Sequence, residues 1–332
     1  MRGLTLRAIL ILVTISSAAL ASQPVQFHIS PQIGQSLGET SYEIKLAGLL
    51  DNNTDIVTLR SRLKFPVKTT LVGASADLFA GEGLTPNWSL HAAFMSNVGD
   101  PSGTVKDQDW IGQLNQFEIE FSNTASDVSG TISQINAEGT LLLLDKRRFA
   151  MSLVGGFWWE KIDQTVIGAS GWQLTPGSTL FDFGDQVYFE VQGDVGDYRI
   201  TYRIPYAGVT GRLSLSPRTT LTATAAGVVG FFSDHDDHKL RGKVADADGD
   251  GYGLRSTLSF RQEISTSSRL RPFFAVEGGL MIVNADGKQK QSWYADDPAT
   301  PDVNDTGTTY GEIPYSVKLR QYSIMLRFGL GL

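Results

Sequence analysis

Apolar and polar residues alternate with a period of two along much of this chain. The clearest run is the last. Tyr322, Ile324, Leu326, Phe328, Leu330 and Leu332 fall on one face, and Gln321, Ser323, Met325, Arg327, Gly329 and Gly331 on the other. Successive side chains of a strand point to opposite sides, so this run predicts a strand with one face in an apolar medium. A second run sets Val57, Leu59, Leu63, Phe65, Val67 and Leu71 against Arg60, Arg62, Lys64 and Lys68. Similar patterning predicts ten strands, at 25–47, 56–80, 88–98, 130–144, 149–166, 191–216, 220–236, 251–265, 271–294 and 313–332. Short turns at Thr85-Pro86-Asn87, Asp145-Lys146-Arg147, Pro217-Arg218-Thr219 and Thr266-Ser267-Ser268 alternate with long polar connections.

That is the signature of an all-β fold, a ten-stranded antiparallel transmembrane β-barrel with apolar residues facing lipid and polar ones facing the lumen. Several runs exceed the roughly 9–11 residues that cross a bilayer, which predicts a barrel extending above the outer membrane. A cation facing lipid near the midplane costs about 2–4 kcal/mol. The four cations of the second run are therefore expected to point inward, into ion-pair networks with acids such as Glu138 and Glu277.

The N-terminus changes the domain picture. Arg2 and Arg7, the apolar stretch from Ala8 to Ile15, and Ala19-Leu20-Ala21 read as a signal peptide over 1–21, followed by the barrel over 22–332. The mature charge balance becomes 26 basic against 35 acidic residues, or −9. Net acidity argues against nucleic-acid partners. An exported chain with no cysteine must be stabilised without disulfides, and a closed hydrogen-bonded barrel supplies that.

Two acidic clusters carry the candidate chemistry. Asp107-Gln108-Asp109-Trp110 falls in the second outer connection, about 99–129, and Asp234-His235-Asp236-Asp237-His238 lies at the top of the seventh strand. Counting hairpins puts both on the same rim. In the seventh strand, Leu221, Ala223, Ala225, Val229 and Phe231 are the lipid phase. Thr222 and Thr224 begin the lumen phase that Asp234, Asp236 and His238 continue. Strand residues two apart are about 6.5 Å apart at the backbone. Asp236 can then hold one nitrogen of His238 and leave the other as a base, with water as nucleophile. Asp107 and Asp109 are close enough to share a proton.

The other two histidines, His28 and His91, fall on lumen phases and read as structural. Asp246, Asp248, Asp250 and Gly251 match the opening of a calcium loop, but Thr257 replaces the closing glutamate and a strand pattern follows. An acidic surface loop is the expectation there, with no metal assigned.

These segments resemble the omptins, outer-membrane aspartyl-type proteases. The resemblance is carried by Asp107-Gln108-Asp109-Trp110, by Tyr202-Arg203-Ile204-Pro205-Tyr206 with Gly208 and Gly211, and by Ser233 through His238. It implies an endopeptidase facing the outside of a Gram-negative cell. A dyad of His238 with Asp236 and a couple of Asp107 with Asp109 would activate water against a peptide bond. It further implies a preference for basic residues, with Asp234 in the substrate pocket. The family's first-strand glutamate falls at Tyr42, beside Glu39 and Glu43, which become the substrate-binding candidates. Omptins need lipopolysaccharide on their outer surface and no other cofactor. The corresponding stretch is Phe157-Trp158-Trp159-Glu160-Lys161, with Lys161 as the candidate phosphate contact. The expected partners are polypeptide substrates, lipopolysaccharide and outer-membrane lipid. The alternatives are a non-enzymatic barrel, either an adhesin or a small channel, and a lipid-modifying barrel enzyme.

Overall fold

The computed structural model describes residues 25–49, 56–80, 86–177, 181–264, 271–298 and 303–331, so the segment read as a signal peptide lies outside the described residues. The described residues form twelve strands: β1 (Val25–Leu49), β2 (Ile56–Pro66), β3 (Lys68–Ala80), β4 (Trp88–Ser102), β5 (Val105–Gln113), β6 (Phe117–Lys146), β7 (Phe149–Pro176), β8 (Phe183–Ser216), β9 (Thr219–His238), β10 (Lys243–Glu263), β11 (Arg271–Trp293) and β12 (Thr309–Gly331). Every pairing is antiparallel, and β12 closes on β1 with a register running from His28↔Gly331 to Ile44↔Tyr315. The expected ten staves are present. β2 and β3 are two halves of one long strand interrupted at Val67, and β4 and β5 are two halves of the next. β1 pairs with β3 below and β2 above, and β6 pairs with β4 below and β5 above.

The interruption at Val67 faces Gly38 of β1. Gly38 takes φ +124°, where a side chain is strained, and its carbonyl accepts from the Val67 N–H at 3.1 Å. A Cβ at Gly38 would sit 2.0 Å from the Arg320 carbonyl oxygen of β12, so the strands close only around a glycine.

The polarity of the two faces reverses with height, while the phase that points inward stays the same. In the lower half, Phe27, Ile29, Ile33 and Leu37 of β1 are exposed outward, while His28, Ser30, Gln32 and Ser36 are buried inward. β12 repeats this with Ile324, Leu326, Phe328 and Leu330 outward. Together these outward residues form an apolar belt fit for lipid. Higher up, Tyr42 and Ile44 of β1 and Tyr315, Val317 and Leu319 of β12 are buried inside. Above the belt the outer face meets water, and the interior becomes an apolar core that includes Phe65, Ile132, Tyr198, Ile200, Tyr202 and Phe232. Below that core lies a polar lumenal cavity of about 300 Å³. Its acids are paired: Asp77 with His91 at 2.7 Å, Glu138 with Arg255 at 3.0 Å and Glu277 with Arg327 at 3.4 Å.

This reversal corrects the facing expected for the second run. β2 stands above the belt, so Leu63, Phe65 and Val67 point inward and the cations point outward into water. Arg62 pairs with Glu43 at 2.5 Å; Arg60 pairs with Glu118 at 2.7 Å and lies 3.7 Å from the Trp110 ring centroid. Glu138 and Glu277 are lumenal as expected, but arginines of β10 and β12 serve them. The connection expected over 99–129 is also mostly strand, formed by the end of β4, by β5 and by the start of β6. The acidic stretch at Asp246, Asp248 and Asp250 is likewise strand, with Asp246 held by His235 at 2.8 Å. His28 and His91 occupy lumenal positions, as their phase predicts.

Candidate active site

The candidate site on the upper rim draws its side chains from β1, β2, β5, β9 and β12. On β9 the period-two phase runs unbroken from Thr220 and Thr224 to Asp234 and Asp236, which are 6% and 4% exposed. His238 ends the strand on the same face, and its Nε2 lies 3.1 Å from Asp236 Oδ2. Tyr42 of β1, itself 1% exposed, donates its hydroxyl hydrogen bond to that same Oδ2 and lies 3.5 Å from His238 Nε2. Nδ1 is therefore the imidazole nitrogen left for chemistry. Asp234 is held in the same way by the Tyr315 hydroxyl of β12.

Asp107 and Asp109 come from β5, where they pair with Leu63 and Ser61 of β2. Leu63 is buried inside the barrel, and Asp107 and Asp109 share its inward phase. Asp107 Oδ1 is sealed from solvent without a hydrogen-bond partner, while Ser61 bonds Asp109.

The electrostatics tie the two pairs together. Burial, then the charges of Asp109 and Asp236, push the Asp107 carboxyl well above its usual range. Burial also raises Asp109, against the hydrogen bond from Ser61 and the charges of Arg241 and His238. For Asp236 the burial cost is outweighed by the His238 charge and by hydrogen bonds from His238 and Tyr42, and its carboxyl falls below the usual value. Asp236 thus stays ionised beside the imidazole, while the Asp107–Asp109 couple retains a proton more readily. Asp234 is raised by burial despite its bond from Tyr315.

Four candidates are therefore brought together: Asp107, Asp109, Asp236 and His238, with Asp234 below them. Glu39 and Glu43 are not. Both lie on the outward phase of β1, and Glu43 is engaged by Arg62, by Lys45 at 3.1 Å and by Arg60 at 3.6 Å. The inward positions between them belong to Thr40 and Tyr42. Lys161 points outward above the belt, 2.8 Å from Asp163, which also takes Arg199 at 2.9 Å. Tyr315 and Ser61 escaped sequence reasoning, and Tyr42 was singled out only as the position beside Glu39 and Glu43, because their contacts join strands distant in sequence and leave no local motif.

The sequence profile of the omptin family matches residues 53–259, more than half of the chain. Among solved structures, the outer membrane protease OmpT from Escherichia coli is similar in fold, with a TM-score of 0.66 and 16% identity over 92% of this chain and 96% of that chain. The outer membrane protein OprG from Pseudomonas aeruginosa is more distant, with a TM-score of 0.37 and 11% identity over 93% of this chain and 97% of that chain. No curated protein sequence matches significantly. With the family profile spanning both acidic clusters on a closed barrel, this chain belongs to the omptin family of outer-membrane proteases.

Proposed function

We propose that this chain is an endopeptidase whose active site opens to the outside of a Gram-negative cell. Water is activated between the His238–Asp236 dyad and the Asp107–Asp109 couple. His238 Nδ1 takes a proton from the water as its oxygen attacks the scissile carbonyl carbon, and Asp236 stabilises the imidazolium that forms. The couple, sharing one proton, orients the water. The imidazolium then returns its proton to the departing amine as the carbon–nitrogen bond breaks. The observation that carries this reading is the convergence of β5 and β9, which sets Asp107 and Asp109 against Asp236 and His238.

Substrate selection follows from charge. A basic side chain approaching Asp234 favours the ionised carboxylate and offsets the burial that otherwise keeps its proton. Bonds next to basic residues are thus the preferred substrates. Lipopolysaccharide fits the outer surface, where Lys161, Arg199 and Arg203 stand above the belt and can meet lipid phosphates. The apolar core that fills the upper barrel disfavours the channel reading.

The test is cleavage of a mixed peptide library by the refolded barrel, with and without lipopolysaccharide, beside Asp236→Ala. Cleavage that needs Asp236 and lipopolysaccharide, with cuts at basic residues, is the expected result. A folded wild-type barrel that cuts nothing would overturn the peptidase reading. Tyr42→Phe probes the positioning of the dyad. A hydrogen bond to a charged group contributes about 1.5–3 kcal/mol, so kcat should fall about 10- to 100-fold with KM little changed. Steady-state kinetics on one cleaved peptide decides this, and an unchanged kcat would remove Tyr42 from the mechanism.

A further inference from the structure

The proposed hydrolysis creates a negative charge, and none of the four candidate groups is a fixed cation that could meet it. Attack by water turns the scissile carbonyl into an oxyanion, while the proton shared by Asp107 and Asp109 is engaged in orienting the water. An oxyanion needs a donor or cation held in place before the reaction. Lys243 supplies one. It opens β10 on the inward phase that Ala245 and Ala247 continue, directly across from His238 of β9 on one side and Trp293 of β11 on the other. It is 6% exposed, and among the described residues no carboxylate lies within 4 Å of its ammonium. Its packing partner is an aromatic ring, with Nζ 5.5 Å from the Trp293 ring centroid. The nearby Asp297 is taken by Arg241 at 2.8 Å and by the Trp293 indole N–H at 3.3 Å.

A buried ammonium without an ion pair is costly, and the lysines on the outer surface avoid that cost. Here the charge is retained beside the two carboxylate pairs: Asp107, Asp109 and Asp236 all respond to it. We propose that Lys243 is the oxyanion-stabilising cation of this protease, donating a hydrogen bond to the carbonyl oxygen as the tetrahedral intermediate forms. No proton is transferred, and the ammonium is unchanged at the end of the cycle. The inference rests on the peptidase reading above.

It predicts an alkaline limit to activity. Burial, followed by the charge of Arg241, lowers the Lys243 ammonium to about 8, against the opposing pull of Asp236, Asp297 and Asp107. The other groups facing it are Asp109, His238 and the uncharged Trp293. The stabilising cation is present below that value and lost as pH rises through it. Tyr42, Tyr198 and Tyr315 are all raised well above 10 and do not titrate there.

The experiment is the pH dependence of kcat for wild type and Lys243→Met, with Lys243→Gln as a second variant should the first refold poorly. Barrel formation is checked by gel mobility. We expect kcat to fall about 10²- to 10³-fold with KM changed far less, the loss typical of one oxyanion donor. The residual activity should run flat through the region where wild-type activity declines. A structural role would lower the rate but leave the alkaline limb in place, so a retained limb overturns the proposal. So does a variant that cleaves within about threefold of wild type. Wild-type cleavage in the same assay separates this failure from failure of the peptidase reading.

Discussion

Replacing His238 with alanine should lower kcat by about 10²- to 10⁴-fold, the range that a positioned general base supplies. The expectation rests on the chain of contacts at the rim. Tyr42 and His238 both address Oδ2 of Asp236, which orients Nε2 toward the carboxylate and leaves Nδ1 outside that contact. Removing the imidazole takes away the proton acceptor. Removing Asp236 leaves an imidazole with no fixed tautomer. The two residues act as a unit, so the double variant should lose little more than either single one. Kinetics on a single cleaved peptide, with lipopolysaccharide present, reads this directly. A His238→Ala barrel that cleaves at the wild-type rate would remove the dyad from the mechanism. Losses that multiply in the double variant would show two independent roles instead.

The second large effect concerns stability and lies in the other half of the barrel. Arg255 is 6% exposed and bonds Glu138 at 3.0 Å, with its guanidinium carbon 4.5 Å from the Tyr206 ring centroid. The Tyr206 hydroxyl donates to the same carboxylate at 2.9 Å. Arg255→Ala leaves Glu138 in the lumen with only neutral donors, and breaking a buried pair from one side costs about 3–5 kcal/mol. The unfolding midpoint in denaturant should fall accordingly. Adding Glu138→Gln should recover part of the loss, because the uncompensated charge goes with it. Peptide cleavage by the folded fraction should be unaffected, since this pair sits below the apolar core. An unchanged midpoint would mean that water in the 300 Å³ cavity already screens the pair.

The site was more legible in the sequence than the strand facing around it. Asp234, Asp236 and His238 could be placed because one unbroken period-two phase leads to them from Thr222 and Thr224. That phase holds whether the outer medium is lipid or water. Arg60 and Arg62 could not be placed by the same logic. Their run looks like a membrane strand with polar and apolar faces, and nothing local says that it stands in water, where the meaning of the two faces is exchanged. The stretch containing Asp107 reads as a connection for the same reason: Lys106 and Gln108 form no apolar outer face, because none is needed there. The roles of Tyr42 and Tyr315 become visible only when β1 closes against β12 and both face β9. Their hydroxyls reach aspartates far away in sequence, and no spacing rule encodes such a contact. Lys243 was hidden by position, since it opens a strand that sequence patterning starts eight residues later, at Gly251.

The apolar core between belt and rim also separates two mechanical jobs. Below it, the wall must accommodate whatever bilayer surrounds it. Above it, the strands are tied together by packed side chains that owe nothing to lipid. A thicker or thinner membrane would therefore ride up or down the belt without altering the spacing of the carboxylates, much as a float rises along a fixed mast.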